Sequence, residues 1–110
     1  MRTPIEVGEL NFRTEVLNSG RPVLVNFWAP WHRSGGDIVP VIEEIASQFA
    51  GRLKICVVDA HKNPSLTKLC FIETLPTTLY FADGLVRDRF VGVEAQNAIA
   101  AKLKNLLLKP

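Results

Sequence analysis

The stretch Pro22-Val23-Leu24-Val25-Asn26-Phe27-Trp28-Ala29 decides how this chain folds. Its apolar character is nearly unbroken, the pattern of a strand covered on both faces rather than one with a wet side. Such a strand belongs in the middle of a sheet, with helices packed above and below. Downstream, Ile38, Ile42, Ile45, Ala46 and Phe49 recur at spacings of three and four. That predicts a helix over residues 34–49 with one buried face, kinked at Pro40. Residues 53–59 (Leu-Lys-Ile-Cys-Val-Val-Asp) predict a second buried strand. Asn63-Pro64 opens a short helix, with asparagine as N-cap and proline at the first helical position.

Thr77–Ala82 and Leu85–Val91 read as strands joined by Asp83-Gly84, a dipeptide suited to a hairpin whose two central residues need positive φ. Residues 94–109 predict the last helix, with Ile99, Leu103, Leu106 and Leu107 as its buried stripe and lysines outside. Before the first quoted strand, Phe12, Val16 and Leu17 suggest a short helix ending near Gly20. A βαβ unit followed by a helix, a hairpin and a final helix predicts an α/β fold, a central mixed sheet with helices on both faces.

Composition agrees with one globular domain spanning residues 1–110. Hydrophobic residues make up 47 % and charged residues 22 % of 110, which excludes intrinsic disorder and allows a core without metal or disulfide staples. No apolar run approaches the ~20 residues that cross a bilayer, so no membrane association is expected. The net charge of +2 argues against nucleic acid as a partner. Arg87 and Arg89, and Lys102, Lys104 and Lys109, read as solvated surface. Residues 1–10 carry Glu6 and Glu9 and no apolar block, unlike a secretory signal. A cytoplasmic location is expected, or an organelle interior if a targeting segment was removed. Cys56 and Cys70 are too few for a disulfide framework or a zinc site. No cofactor is expected.

The run Val23 to Trp31 (Val-Leu-Val-Asn-Phe-Trp-Ala-Pro-Trp) resembles the thioredoxin family, as do Pro40, Leu75-Pro76-Thr77, Asp83-Gly84 and Val91-Gly92. The resemblance covers nearly the whole chain. It implies a thioredoxin-like fold, a cis peptide bond at Leu75-Pro76, and a shallow groove where that proline faces the family's redox motif and an extended peptide is held. The departure lies in the motif. Where the family has Trp-Cys-Gly-Pro-Cys, this chain reads Trp31-His32-Arg33-Ser34-Gly35. Thiol–disulfide exchange needs a thiolate attacking a sulfur, and neither His32 nor Gly35 supplies one. The family's buried aspartate and nearby lysine correspond to Asn26 and Val57, so its proton-handling groups are replaced too.

Each feature has a plain reading beside a functional one. His32 lacks a ligand set, since His61 is the only other imidazole, and reads as an exposed side chain rather than a metal ligand; no metal is expected. Ser34-Gly35-Gly36-Asp37 reads as a capping box in preference to an anion site. Arg33 is either solvated or a selector of acidic partners. Trp28 reads as core and Trp31 as a binding anchor at the groove. Cys56 reads as core packing, and Cys70 as a candidate reactive thiol.

These readings together lead to the expectation of a redox-inactive protein, not an enzyme, that binds a protein or extended peptide without covalent chemistry. Its groove would comprise Trp31, His32, Arg33, Thr74, Leu75, Pro76, Val91, Gly92 and Val93, and the peptide would add as a strand. Assembly factor, chaperone-like holder and complex subunit are roles of that kind. Two alternatives stand beside it: a thiol enzyme using Cys70 alone, and a structural or oligomer-forming domain using the final leucine-rich helix. The chain is expected to be a monomer or weak oligomer.

Overall fold

In a computed structural model, which describes residues 4–30, 44, 47–49, 51–92 and 98–108, five strands form one sheet. They are β1 (Ile5–Glu6), β2 (Val23–Trp28), β3 (Lys54–Asp59), β4 (Thr77–Ala82) and β5 (Leu85–Val91), in the order β1-β3-β2-β4-β5. The strand with the unbroken apolar run is therefore the middle one. It pairs parallel with β3, Asn26 opposite Val57, and antiparallel with β4, Asn26 opposite Thr78. β1 continues the parallel half and β5 the antiparallel half, so the sheet is mixed.

Alternation along β2 sends its side chains into two cores. Val23, Val25 and Phe27 join Cys56, Val58, Leu79 and Phe81 on one face, beneath Phe12, Val16 and Leu66. Leu24 joins Tyr80 and Phe90 on the other, against Ile99, Leu103 and Leu107. The helical pieces follow that division. A π-helical turn (Arg13–Leu17) and α1 (Pro64–Leu69) cover the first face, and α2 (Ile99–Leu108) covers the second. Each fully buried Leu, Val or Phe contributes about 1.5–3 kcal/mol relative to exposure.

The expected N-terminal helix is this π-helical turn, in which Val16 is buried and Leu17 is partly exposed. Lys54 ties the turn to the sheet. Its Nζ lies 2.6 Å from Glu15 Oε1 and donates to the Glu15 carbonyl at 2.8 Å. Of the helix expected over 34–49, Glu44, Ser47 and Gln48 are helical and Phe49 packs on the second core. The rest of it, with Pro40, lies outside the described residues, as do residues 94–97 and 109 of the last helix. Trp28 departs from its expected core position. It lies between the buried Phe27 and Ala29 but is itself 37 % exposed.

The hairpin turn has the predicted geometry. Asp83 sits at φ 55° and Gly84 at φ 77°, and a Cβ on Gly84 would come within 3.0 Å of the Leu17 carbonyl oxygen. The register shifts between Tyr80 and Phe81, leaving Arg87 as the extra residue of a bulge.

Candidate functional site

The segment between α1 and β4 carries the residues that matter most. Leu75-Pro76 is a cis peptide bond, as the family resemblance implies. The loop is held from two sides: Thr77 Oγ1 donates to the Thr74 carbonyl at 2.6 Å, and the Gly92 N–H donates to the Pro76 carbonyl at 2.8 Å. Thr77 stands opposite Val91 in the ladder. The structure thus brings Thr74, Leu75, Pro76, Val91 and Gly92 together at one end of the β4–β5 pair. Val91 is exposed and Leu75 half-buried against the first core. Gly92 has φ 84°, a left-handed value that glycine adopts freely. Trp31, His32, Arg33, Ser34, Gly35 and Val93, with the capping box ending at Asp37, lie outside the described residues.

Beneath this loop, Asn26 is buried and its Nδ2 donates to Thr78 Oγ1 at 2.9 Å. That bond runs between register partners of β2 and β4 and satisfies a polar group in the interior. Val57 lies opposite Asn26 on the other side.

The two cysteines are unpaired and differently placed. Cys56 is within the first core, where burial pushes its thiol up to about 11, against a smaller opposing pull from Lys54. Cys70 is half-buried at the end of α1 and packs against the same core with Ile72 and Leu75. Burial raises its thiol as well, and the nearby Arg89 guanidinium works the other way.

Both ends of α1 are fixed by distant residues. At its start, Asn63 is not the expected side-chain cap. Its Oδ1 accepts the Glu9 N–H at 3.2 Å and its Nδ2 donates to the Asp59 carbonyl at 3.0 Å. The Glu9 carboxylate does the capping instead, with Oε2 accepting from the N–H groups of Ser65 and Leu66 at 3.1 and 3.4 Å. At its end, the Phe71 N–H donates to the Lys68 carbonyl and the Ile72 N–H to the Thr67 carbonyl, at 3.0 and 3.1 Å. This reciprocal pair closes a helix through a left-handed residue, a place that favours glycine. Phe71 occupies it, at φ 56°.

Arg89, expected to be free surface, spans this turn from β5. Its Nη2 donates to the Cys70 carbonyl at 3.0 Å and its Nη1 to the Phe71 carbonyl at 3.4 Å. Neither Phe71 nor Arg89, which reads as solvated surface, stands out as a site residue in the sequence. The available signal was a bulky apolar residue directly after a helix end, where glycine would be expected.

Among the described residues, no three His, Cys, Asp or Glu side chains converge as a metal site, and no helix is long and apolar enough to cross a membrane.

The thioredoxin family model matches residues 3–105. Thioredoxin 1 of Synechococcus elongatus is 37 % identical over 103 residues, covering 94 % of this chain and 96 % of that protein. Thioredoxin 1 of Nostoc sp. is 35 % identical over 107 residues, 97 % of this chain and all of that protein. A thioredoxin of Mycobacterium tuberculosis is 35 % identical over 103 residues, 94 % and 89 % of the two chains.

These likenesses correct two expectations. The reading of a redox-inactive binding protein, and of a chain that is no enzyme, rested on His32 and Gly35 standing where the family motif has cysteines. Relatives aligned over nearly the full length are named thioredoxins and point to thioredoxin function rather than to a redox-inactive binding protein. The expectation let the two motif positions outweigh the rest of the chain, which matches thioredoxins over nearly its whole length.

Proposed function

The chain belongs to the thioredoxin family, and from that premise we propose that it carries out thiol–disulfide exchange on protein substrates with Cys70 as the reacting sulfur. One observation carries this reading. Of the two cysteines, Cys56 is sealed in the core and Cys70 is partly open to solvent, at the start of the segment that leads to the cis proline. Trp31-His32-Arg33-Ser34-Gly35 takes the place of the family's two-cysteine motif on this reading, so a single thiol does the work.

The chemistry balances with one thiol. Cys70 gives its proton to solvent, and its thiolate attacks one sulfur of a substrate disulfide. The sulfur–sulfur bond breaks, the second substrate sulfur leaves as a thiolate and takes a proton, and a mixed disulfide joins Cys70 to the substrate. A second thiol, a small one from solution or a protein thiol, then attacks the substrate sulfur and frees Cys70. The number of disulfides is unchanged; the bond moves from one thiol partner to another.

In this proposal, the extended substrate segment lies along Thr74, Leu75, Pro76, Val91 and Gly92, and the sequence resemblance adds Trp31, His32, Arg33 and Val93 to the residues that contact it. The Gly92-to-Pro76 hydrogen bond supports that placement by fixing Pro76 against the end of β5. Residues 1–110 act as one domain, in the cytoplasm or an equally reducing compartment, as two unpaired thiols favour.

The test is the rate of exchange between a peptide disulfide and a small thiol in the presence of the wild-type protein or Cys70→Ser. Loss of the catalysed rate in the variant, which changes one sulfur to oxygen, is the expected result. A rate that survives Cys70→Ser would overturn the assignment.

A further inference from the structure

Phe71 breaks a local rule without a packing reason. Its left-handed backbone carries a steric cost for an L-residue that glycine would not incur. Buried contacts do not repay that cost, because the side chain is 80 % exposed. The neighbouring Leu69 is 75 % exposed. These two apolar side chains flank Cys70 on either side in sequence. A bulky residue kept in a strained conformation and turned outward points to a task outside the fold.

The surface around it has a definite chemistry. Arg89 is anchored to the carbonyls of Cys70 and Phe71, which holds its charge beside the exposed ring. Val91 lies two residues along the same strand and is exposed on the same face. Lys68 precedes Leu69, and Arg87 bulges from the edge strand β5; both are exposed. Among the described residues, no carboxylate forms an ion pair with Lys68, Arg87 or Arg89. Within residues 68–73, Glu73 is the only acid. The surface at this turn thus sets exposed apolar side chains next to the anchored Arg89 guanidinium.

We propose that Phe71, Leu69 and Arg89 form a specificity surface beside Cys70 for protein segments that carry an apolar side chain and carboxylates next to the reacting sulfur. The proposal rests on Cys70 as the reacting thiol and adds the substrate class. Phe71 supplies the aromatic contact, a residue type that dominates binding surfaces. Arg89 and its basic neighbours supply charge complementarity, which selects among partners and speeds encounter.

The test uses two fluorescent ten-residue peptides, one with leucine and aspartate around its central position and one with serine and lysine there. Each is made with serine at the centre for binding by anisotropy, and with a mixed disulfide at the centre for exchange. The wild-type protein is expected to bind the leucine–aspartate peptide about tenfold more tightly. Phe71→Gly, which relaxes the backbone and so keeps the fold, is expected to bring the preference within about twofold. Arg89→Gln is expected to remove most of its salt dependence. Lys104→Gln, on the exposed side of α2, leaves the preference intact.

Equal binding of both peptides by the wild type, or a preference that Phe71→Gly retains, would overturn the proposal. The serine-centred peptides contain no sulfur, so that arm reads the surface alone. Exchange that persists in Cys70→Ser would instead remove the proposed chemistry while leaving the binding preference to stand or fall separately.

Discussion

Cys56 and Cys70 lean on the same apolar cluster, yet they present opposite environments. Cys56 is inside it, on a strand flanked by β1 and β2, and its thiol behaves as a small hydrophobe whose ionisation is suppressed to about 11. Cys70 packs against it from a helix end that is tied to an edge strand by Arg89. The contrast teaches that burial and backbone setting divide the two thiols, one packed within the core and the other half-buried at a helix end.

The largest expected effect separates the two sulfurs directly. Cys70→Ser reduces peptide disulfide exchange to the uncatalysed rate and leaves the urea midpoint nearly unchanged. Cys56→Ser puts a hydroxyl into an apolar site and costs about 1–3 kcal/mol of stability by urea unfolding, while the folded fraction still exchanges. Reversed roles for the two variants would break the comparison.

The pH dependence sharpens it. For Cys56 the folded-state pKa is raised, so its neutral thiol stabilises the fold below the unfolded value near 9.0, and that contribution is lost as pH rises towards about 11. The loss is about 2–3 kcal/mol across this window, measured by urea unfolding, and Cys56→Ala makes the fall shallower, leaving the contributions of Cys70 and Tyr80, whose pKa values burial also raises. The Cys70 thiol is also raised by burial, so exchange accelerates with pH, about tenfold per unit while the thiol remains mostly protonated.

Smaller effects concern the two ends of α1. Phe71→Gly raises stability by about 1 kcal/mol, because it relieves a left-handed phenylalanine with few buried contacts to lose. Loss of stability in that variant would mean that the ring packs usefully after all. Glu9→Gln weakens the acceptor for the Ser65 and Leu66 N–H groups and lowers stability by about 0.5 kcal/mol. Both follow from thermal or urea midpoints.

The two left-handed turns show what a sequence discloses. Asp83-Gly84 carries the residue types its conformation demands, so the hairpin is legible down to both strand boundaries. Phe71 violates the preference of its conformation, so a reading by residue type passes over it. The middle position of β2 is legible because burial on both faces leaves an unbroken apolar run. Trp28 is misjudged because apolar character does not show which residue of a buried run is left partly open. Glu9 as the cap of α1 was hidden by its distance from Ser65, 56 residues along the chain. Asn63 looked like the cap because local pattern cannot show that its amide is bonded elsewhere.

The site was legible where it depends on a motif and opaque where it depends on contact. Leu75-Pro76 announces itself by resemblance, and the cis bond is there. Arg89 lies 19 residues from Cys70, and only the packing of β5 beside the end of α1 brings the two together. The replaced residues at 32 and 35 were readable at once. The redox-inactive expectation drawn from them placed a thiol enzyme using the half-buried Cys70 second, and the full-length likeness to thioredoxins speaks against that ranking.

The central claim is most directly tested by incubating the wild-type protein with a peptide disulfide, quenching with acid, and locating the trapped mixed disulfide by peptide mass mapping. The account predicts the substrate peptide joined to Cys70. A peptide joined to Cys56, or no joined peptide at a pH where small thiols exchange freely, would contradict it.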